Sequence, residues 1–73
     1  DNAMELLAKM YKLPSDTWKD TIEWGSQKNL LSPSQIQLLN LIPTGKYPSD
    51  KQSKKILETI LYLEDEGMKS VWG

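Results

Sequence analysis

Apolar residues along this chain recur at spacings of three and four and are interrupted by short polar stretches containing proline or glycine, a pattern that predicts an all-α bundle of four short helices. Met4, Leu7, Ala8 and Tyr11 fall within one helical arc, widened by Leu6 and Met10, which predicts a first helix over about residues 4–11. It should end before Leu13-Pro14, because the residue ahead of a proline is pushed out of the α region. A second helix is expected over about residues 16–28, with Ser15 as N-cap and Asp16 suited to the positive end of the helix dipole. Trp18, Ile22 and Gly25 share one narrow face of it, and Trp24 points elsewhere. Gly25 costs about 1 kcal/mol against alanine in a helix interior. It therefore either ends the helix early or lets another helix approach closely.

The next two starts are marked by the same device. Ser32 with Gln35, and Ser49 with Gln52, have the spacing of a capping box, in which the first side chain bonds the amide three residues on and the second reaches back. Pro33 suits the first helical position, and Leu31 and Ile36 occupy the positions of a hydrophobic staple. The third helix, about residues 33–41, carries Ile36, Leu38, Leu39, Leu41 and Ile42 almost all the way round, so it is expected to be buried at the centre. The fourth, about residues 50–66, has Ile56, Leu57, Ile60, Leu61 and Leu63 on one broad face, and Gly67 is placed to terminate it in a left-handed conformation.

Composition removes functions rather than adding them. The chain has 73 residues and neither cysteine nor histidine, so disulfides and thiolate or imidazole metal sites are out of reach, and no cofactor is implied. A core of this size supplies only about 3–5 kcal/mol without such staples. The nine basic residues are all lysine against ten acidic ones, so the planar fork that arginine uses on phosphate and guanine is missing. Asp1-Asn2-Ala3 ahead of Met4 reads as an expression remnant, leaving residues 4–73 as a single domain, either a free small protein or the C-terminal piece of a larger one. No stretch approaches the roughly 20 apolar residues of a membrane span, and no leader pattern is present, so cytoplasm is the expected compartment.

Few residues invite chemistry. Thr44-Gly45-Lys46 has the ending of a phosphate loop, but Asn40 stands where its first glycine belongs and Pro48 follows, so a plain turn is expected. Asp16, Asp20 and Glu23, and separately Glu64, Asp65 and Glu66, are read as solvated faces, since acid–base work or cation binding would need a pocket that the pattern does not imply. Trp18 belongs with the core, whereas Trp24, Trp72, Tyr47 and Tyr62 are candidate contacts for another domain or protein. Trp24 could equally cover the end of the core or pack on the first helix. Lys46, Lys51, Lys54 and Lys55 are candidate nucleic-acid contacts, four lysines against one aspartate between Thr44 and Lys55. The fourth helix also carries its charges against its own dipole, with lysines in its first turns and carboxylates in its last.

The runs Trp18 to Gly25, Leu30 to Gln35, Pro48 to Leu57 and Glu66-Gly67-Met68 together resemble a small helical module at the C-terminal ends of bacterial phage-defence and DNA-processing proteins, the abortive-infection phage-resistance family among them. The resemblance covers roughly residues 18–68 and rests on cap and core positions. It implies a non-catalytic appendage whose enzymatic part lies elsewhere in a longer chain, and no catalytic residue carries over. The expected function is thus an accessory or protein-interaction domain, with an accessory nucleic-acid contact as the alternative. An enzyme would need a nucleophile or base with a positioned partner, and no spacing here supplies one.

Overall fold

Prolines at 14, 33, 43 and 48 and residues of positive φ at 29, 45 and 67 cut the chain into its elements. A computed structural model describes residues 2–72 and, within them, every side chain except those of Asn2, Ala3 and Leu6. Four helices are present among the described residues: α1 (Asn2–Lys12), α2 (Ser15–Gln27), α3 (Pro33–Leu39) and α4 (Asp50–Asp65). No strand occurs among the same residues. The readings of Asp1 as part of a remnant, and of Leu6 as widening the arc of α1, lie outside what is described.

Both capping boxes form. Ser32 Oγ accepts from the Gln35 amide at 3.3 Å and Gln35 Oε1 from the Ser32 amide at 2.8 Å. The pair Ser49 and Gln52 repeats this at 3.1 and 2.9 Å. Ser15 does not act as the N-cap of α2. Pro14 holds that position with extended backbone and without a side-chain bond, and Ser15 is the first helical residue. A fixed proline φ already sets up the helix entry there.

Three closures of one kind end the helical segments. The Leu30 amide bonds the Gly25 carbonyl at 2.9 Å and the Asn29 amide that of Ser26 at 3.1 Å, while Asn29 takes φ +58°. Lys46 and Gly45 do the same onto Leu41 and Ile42, and Met68 and Gly67 onto Leu63 and Glu64. This is the Schellman pattern, which satisfies carbonyls that a helix end would otherwise leave unpaired. Gly67 was expected in this role; Asn29 and Gly45 share it. The middle closure lies beyond α3, whose chain leaves regular helix after Leu39 and continues through bonded turns to Gly45, so Leu41 falls outside the helix predicted to contain it.

Among the described residues the fully buried large apolar side chains are Met10, Trp18, Leu39, Ile56, Ile60 and Leu63. Helix α3 packs against both α2 and α4 and so lies between them, but Leu39 is its only fully buried residue, and α4 contributes the largest share of the core. Leu41 and Ile42 add half-buried contacts from the turn. Leu61, expected on the apolar face of α4, is exposed, because one step along the helix from Ile60 rotates it about 100° away from that face. Helix α1 is rotated relative to expectation. Among its described side chains Met10 and Leu7 face inward, continued by Leu13, whereas Met4, Ala8 and Tyr11 are exposed. Leu13 lies just past the helix end, and burying it selects the side of α1 that turns inward.

Gly25 is buried inside α2, which runs on to Gln27. A β-carbon there would lie 2.7 Å from Leu31 Cδ1, 2.8 Å from Leu31 Cγ and 3.2 Å from Leu63 Cδ2. Gly25 does not end the helix; what comes close to it is chiefly the Leu31 side chain of the following loop, with Leu63 of α4 next, rather than a second helix backbone. The Cα radius of gyration of 11.3 Å matches the roughly 11 Å expected for one folded domain of this length.

Candidate interaction surface

The aromatic candidates occupy separate places. Tyr47 is 86% exposed, in the segment between the Gly45 closure and the cap of α4. The next residue, Pro48, is buried, so the backbone is anchored inward beside a side chain held outward. The Tyr47 ring meets that of Tyr11 on α1 at a centroid distance of 5.7 Å and an interplanar angle of 55°, within the range of tilted aromatic pairs. On α1, Met4 (76% exposed) and Ala8 stand at helical spacing from Tyr11 and extend the apolar surface along the helix. The phenol of Tyr11 titrates above its ordinary value of 10.0, chiefly through loss of hydration and then through the neighbouring Tyr47.

Sequence reasoning assigned Tyr11 to the inner arc of α1 and so missed it as a surface residue. One available signal was the position of Tyr11 between Met10 and Lys12 at the end of a helix whose next apolar residue, Leu13, competes for the same interior space.

Trp24 is half-buried, with the Lys28 ammonium 5.2 Å from its ring centroid in cation–π geometry. It lines an open groove of about 530 Å³ between α2 and the segment Gly67–Val71. Trp72 turns inward with Val71, both packing on the core, and its remaining surface borders Lys9, Lys12 and Leu13. Tyr62 is exposed and shares an open groove with Lys55, Leu38 and Gln35 between α3 and α4.

The four candidate lysines are all exposed. Lys46 borders a groove with Gln37, Asn40, Leu41 and Thr44, apart from the groove that Lys55 lines. Lys51 and Lys54 lie in the first turns of α4. From Lys51 to Glu64 the helix rises about 20 Å, so lysines and carboxylates occupy opposite ends of α4. The acidic end also has a structural task, since Glu64 Oε2 accepts a bond from the Val71 amide at 3.2 Å and ties down the tail.

The Thr44-Gly45-Lys46 segment is a turn. The amides of Gly45 and Lys46 are bonded to the Ile42 and Leu41 carbonyls at 3.0 and 2.9 Å, and the Thr44 hydroxyl to the Asn40 carbonyl at 2.6 Å, so the donors a phosphate loop would offer are engaged internally. Among the described residues no group of three or more histidine, cysteine or acidic side chains could hold a metal ion. No described helix is long and apolar enough to cross a membrane. In comparison with known proteins, no family model matches this chain, and no curated protein or solved structure matches it.

Proposed function

We propose that this chain is a non-catalytic accessory domain that works by protein–protein contact, and that its contact surface is the Tyr11–Tyr47 pair with the Met4–Ala8 side of α1. The observation that carries this reading is Tyr47. A large amphipathic ring 86% exposed, beside a buried proline and touching its own chain chiefly through a second tyrosine, is a pre-ordered apolar anchor. Trp24 and Trp72 are weaker anchors than their residue type suggests, because each already spends surface on its own chain. A place in a longer bacterial protein of phage defence or DNA processing remains part of the proposal, supported by the resemblance over residues 18–68.

A photo-crosslinking phenylalanine analogue at position 47 tests the reading. Irradiation in an extract of the source cells should yield one discrete adduct. The purified partner should then bind the Tyr11→Ser/Tyr47→Ser variant at least roughly tenfold more weakly, as expected for loss of an aromatic anchor. Equal affinity of the variant, or no adduct, overturns the proposal. The second reading, nucleic-acid contact through Lys46, Lys51, Lys54 and Lys55, is favoured by the exposure of all four. It requires binding to labelled DNA or RNA that weakens steeply as salt rises.

A further inference from the structure

The charge pattern around the tyrosine pair narrows what could cover it. Tyr47 follows Lys46 directly and stands four residues before Lys51, and Tyr11 is followed by Lys12. These lysines are all exposed, as are Lys54 and Lys55. Residues 40–55 hold four lysines and one aspartate, whereas residues 56–72 hold one lysine and four carboxylates. The positive end of the α4 dipole points toward the first group and adds to it. In the isolated chain this arrangement opposes the helix dipole at both ends of α4. An anion placed against that end converts the same charges into attraction.

Resting on the contact surface proposed above, we infer that its occupant is an acidic polypeptide segment carrying apolar side chains, seated on Tyr11 and Tyr47 with its carboxylates toward Lys46 and Lys51. Lysine suits this partner, since an ammonium acts as a point charge that accepts a carboxylate from many directions, without the fork geometry of arginine. A nucleic acid fits less well. Five lysines, Lys12 included, are fewer than the roughly 6–10 phosphate contacts of a strongly salt-dependent duplex binder, and a longer polyanion would run toward the carboxylates of the other half. The tyrosine pair, next in sequence to Lys46 and Lys12, rewards burial of apolar side chains, and because the bases of a single strand also stack on such rings, a single-stranded oligonucleotide is an arm of the test.

The test is a titration of the whole ¹⁵N-labelled chain with a blocked helical peptide of glutamate, leucine and alanine, its glutamine counterpart, and oligothymidylate. Spectra are recorded at about 20 mM and about 300 mM salt, which spans strong and weak screening. The expected result is amide shifts at Tyr11, Tyr47 and Lys51 with the glutamate peptide, affinity at least roughly tenfold above the glutamine peptide at low salt, and loss of that preference at high salt. Lys46→Glu/Lys51→Glu should abolish the preference while the helical circular dichroism is unchanged, and Lys69→Glu should leave it intact. Equal binding of both peptides at the patch would overturn the inference and leave the contact surface standing. Binding of neither peptide, tighter binding of oligothymidylate, or self-association that shifts both Lys51 and Glu64 would each overturn it. The crosslinking experiment at position 47 fails separately, because it reports contact whatever the partner's charge.

Discussion

Replacing Gly25 with alanine sets two known effects against each other within one residue. Alanine in a helix interior is favoured over glycine by about 1 kcal/mol. Against that, the new methyl would sit 2.7 and 2.8 Å from Leu31 Cδ1 and Cγ and 3.2 Å from Leu63 Cδ2. Contacts below 3.0 Å require a neighbour to move, and Leu63 is fully buried, which leaves Leu31 as the side chain that must give. Overpacking of a filled core costs about 1–3 kcal/mol, so Gly25→Ala should be destabilising by up to about 2 kcal/mol net. That is a large part of the roughly 3–5 kcal/mol available to a core this small. Urea denaturation followed by tryptophan fluorescence measures it. The cause is isolated by adding Leu31→Ala, which removes the clashing atoms. The double variant should be more stable than the sum of the singles by about 1–2 kcal/mol, the coupling expected of residues in direct contact. A Gly25→Ala chain stabilised by about 1 kcal/mol, with no coupling to position 31, would show that propensity governs this position and refute the close approach.

Ser32→Ala and Ser49→Ala should each cost about 1 kcal/mol in the same assay, whereas Ser15→Ala should change stability by less than about 0.5 kcal/mol because Ser15 makes no cap bond. Ser53→Ala should be neutral to stabilising, since the buried Ser53 hydroxyl has no hydrogen-bond partner and its removal relieves a desolvation cost; a loss above about 1 kcal/mol would contradict this. Tyr11 should deprotonate above pH 10.0 in a spectrophotometric titration, and Tyr47→Phe should reduce the upward shift without abolishing it, because hydration loss is the larger cause. The sign follows from a folded value above the unfolded one: the stabilisation from the neutral phenol is full below the unfolded value and is lost as pH rises through the folded one.

What could be read in advance was local. Ser32 with Gln35 and Ser49 with Gln52 define their helix starts through bonds spanning three residues, and both form. Gly67 ends α4 for an equally local reason. Ser15 misled because it has the composition of a cap without the glutamine or glutamate three residues on, and Pro14 had already set the entry geometry. The orientation of α1 was ambiguous from the pattern alone. Apolar residues at 4, 6, 7, 8, 10 and 11 allow two arcs, and contact of Met10 and Leu13 with the rest of the core selects the one through Met10. The candidate surface inherits that ambiguity. Tyr47 was identified from residue type, but its partner Tyr11 comes from a distant part of the chain and required the fold to place it. Trp72 illustrates the converse, an aromatic residue near the chain end that folds back onto its own core.

The central claim is that Tyr11 and Tyr47 form the contact surface, and side-chain footprinting tests it most directly. Hydroxyl-radical labelling of the chain, alone and with the partner captured through position 47, compares each exposed residue with its own labelling in the free chain. The account predicts that Tyr11, Tyr47 and Met4 become protected while Tyr62 and Leu61, exposed on α4, keep their labelling. Protection of Tyr62 and Leu61 with Tyr47 still fully labelled would contradict it.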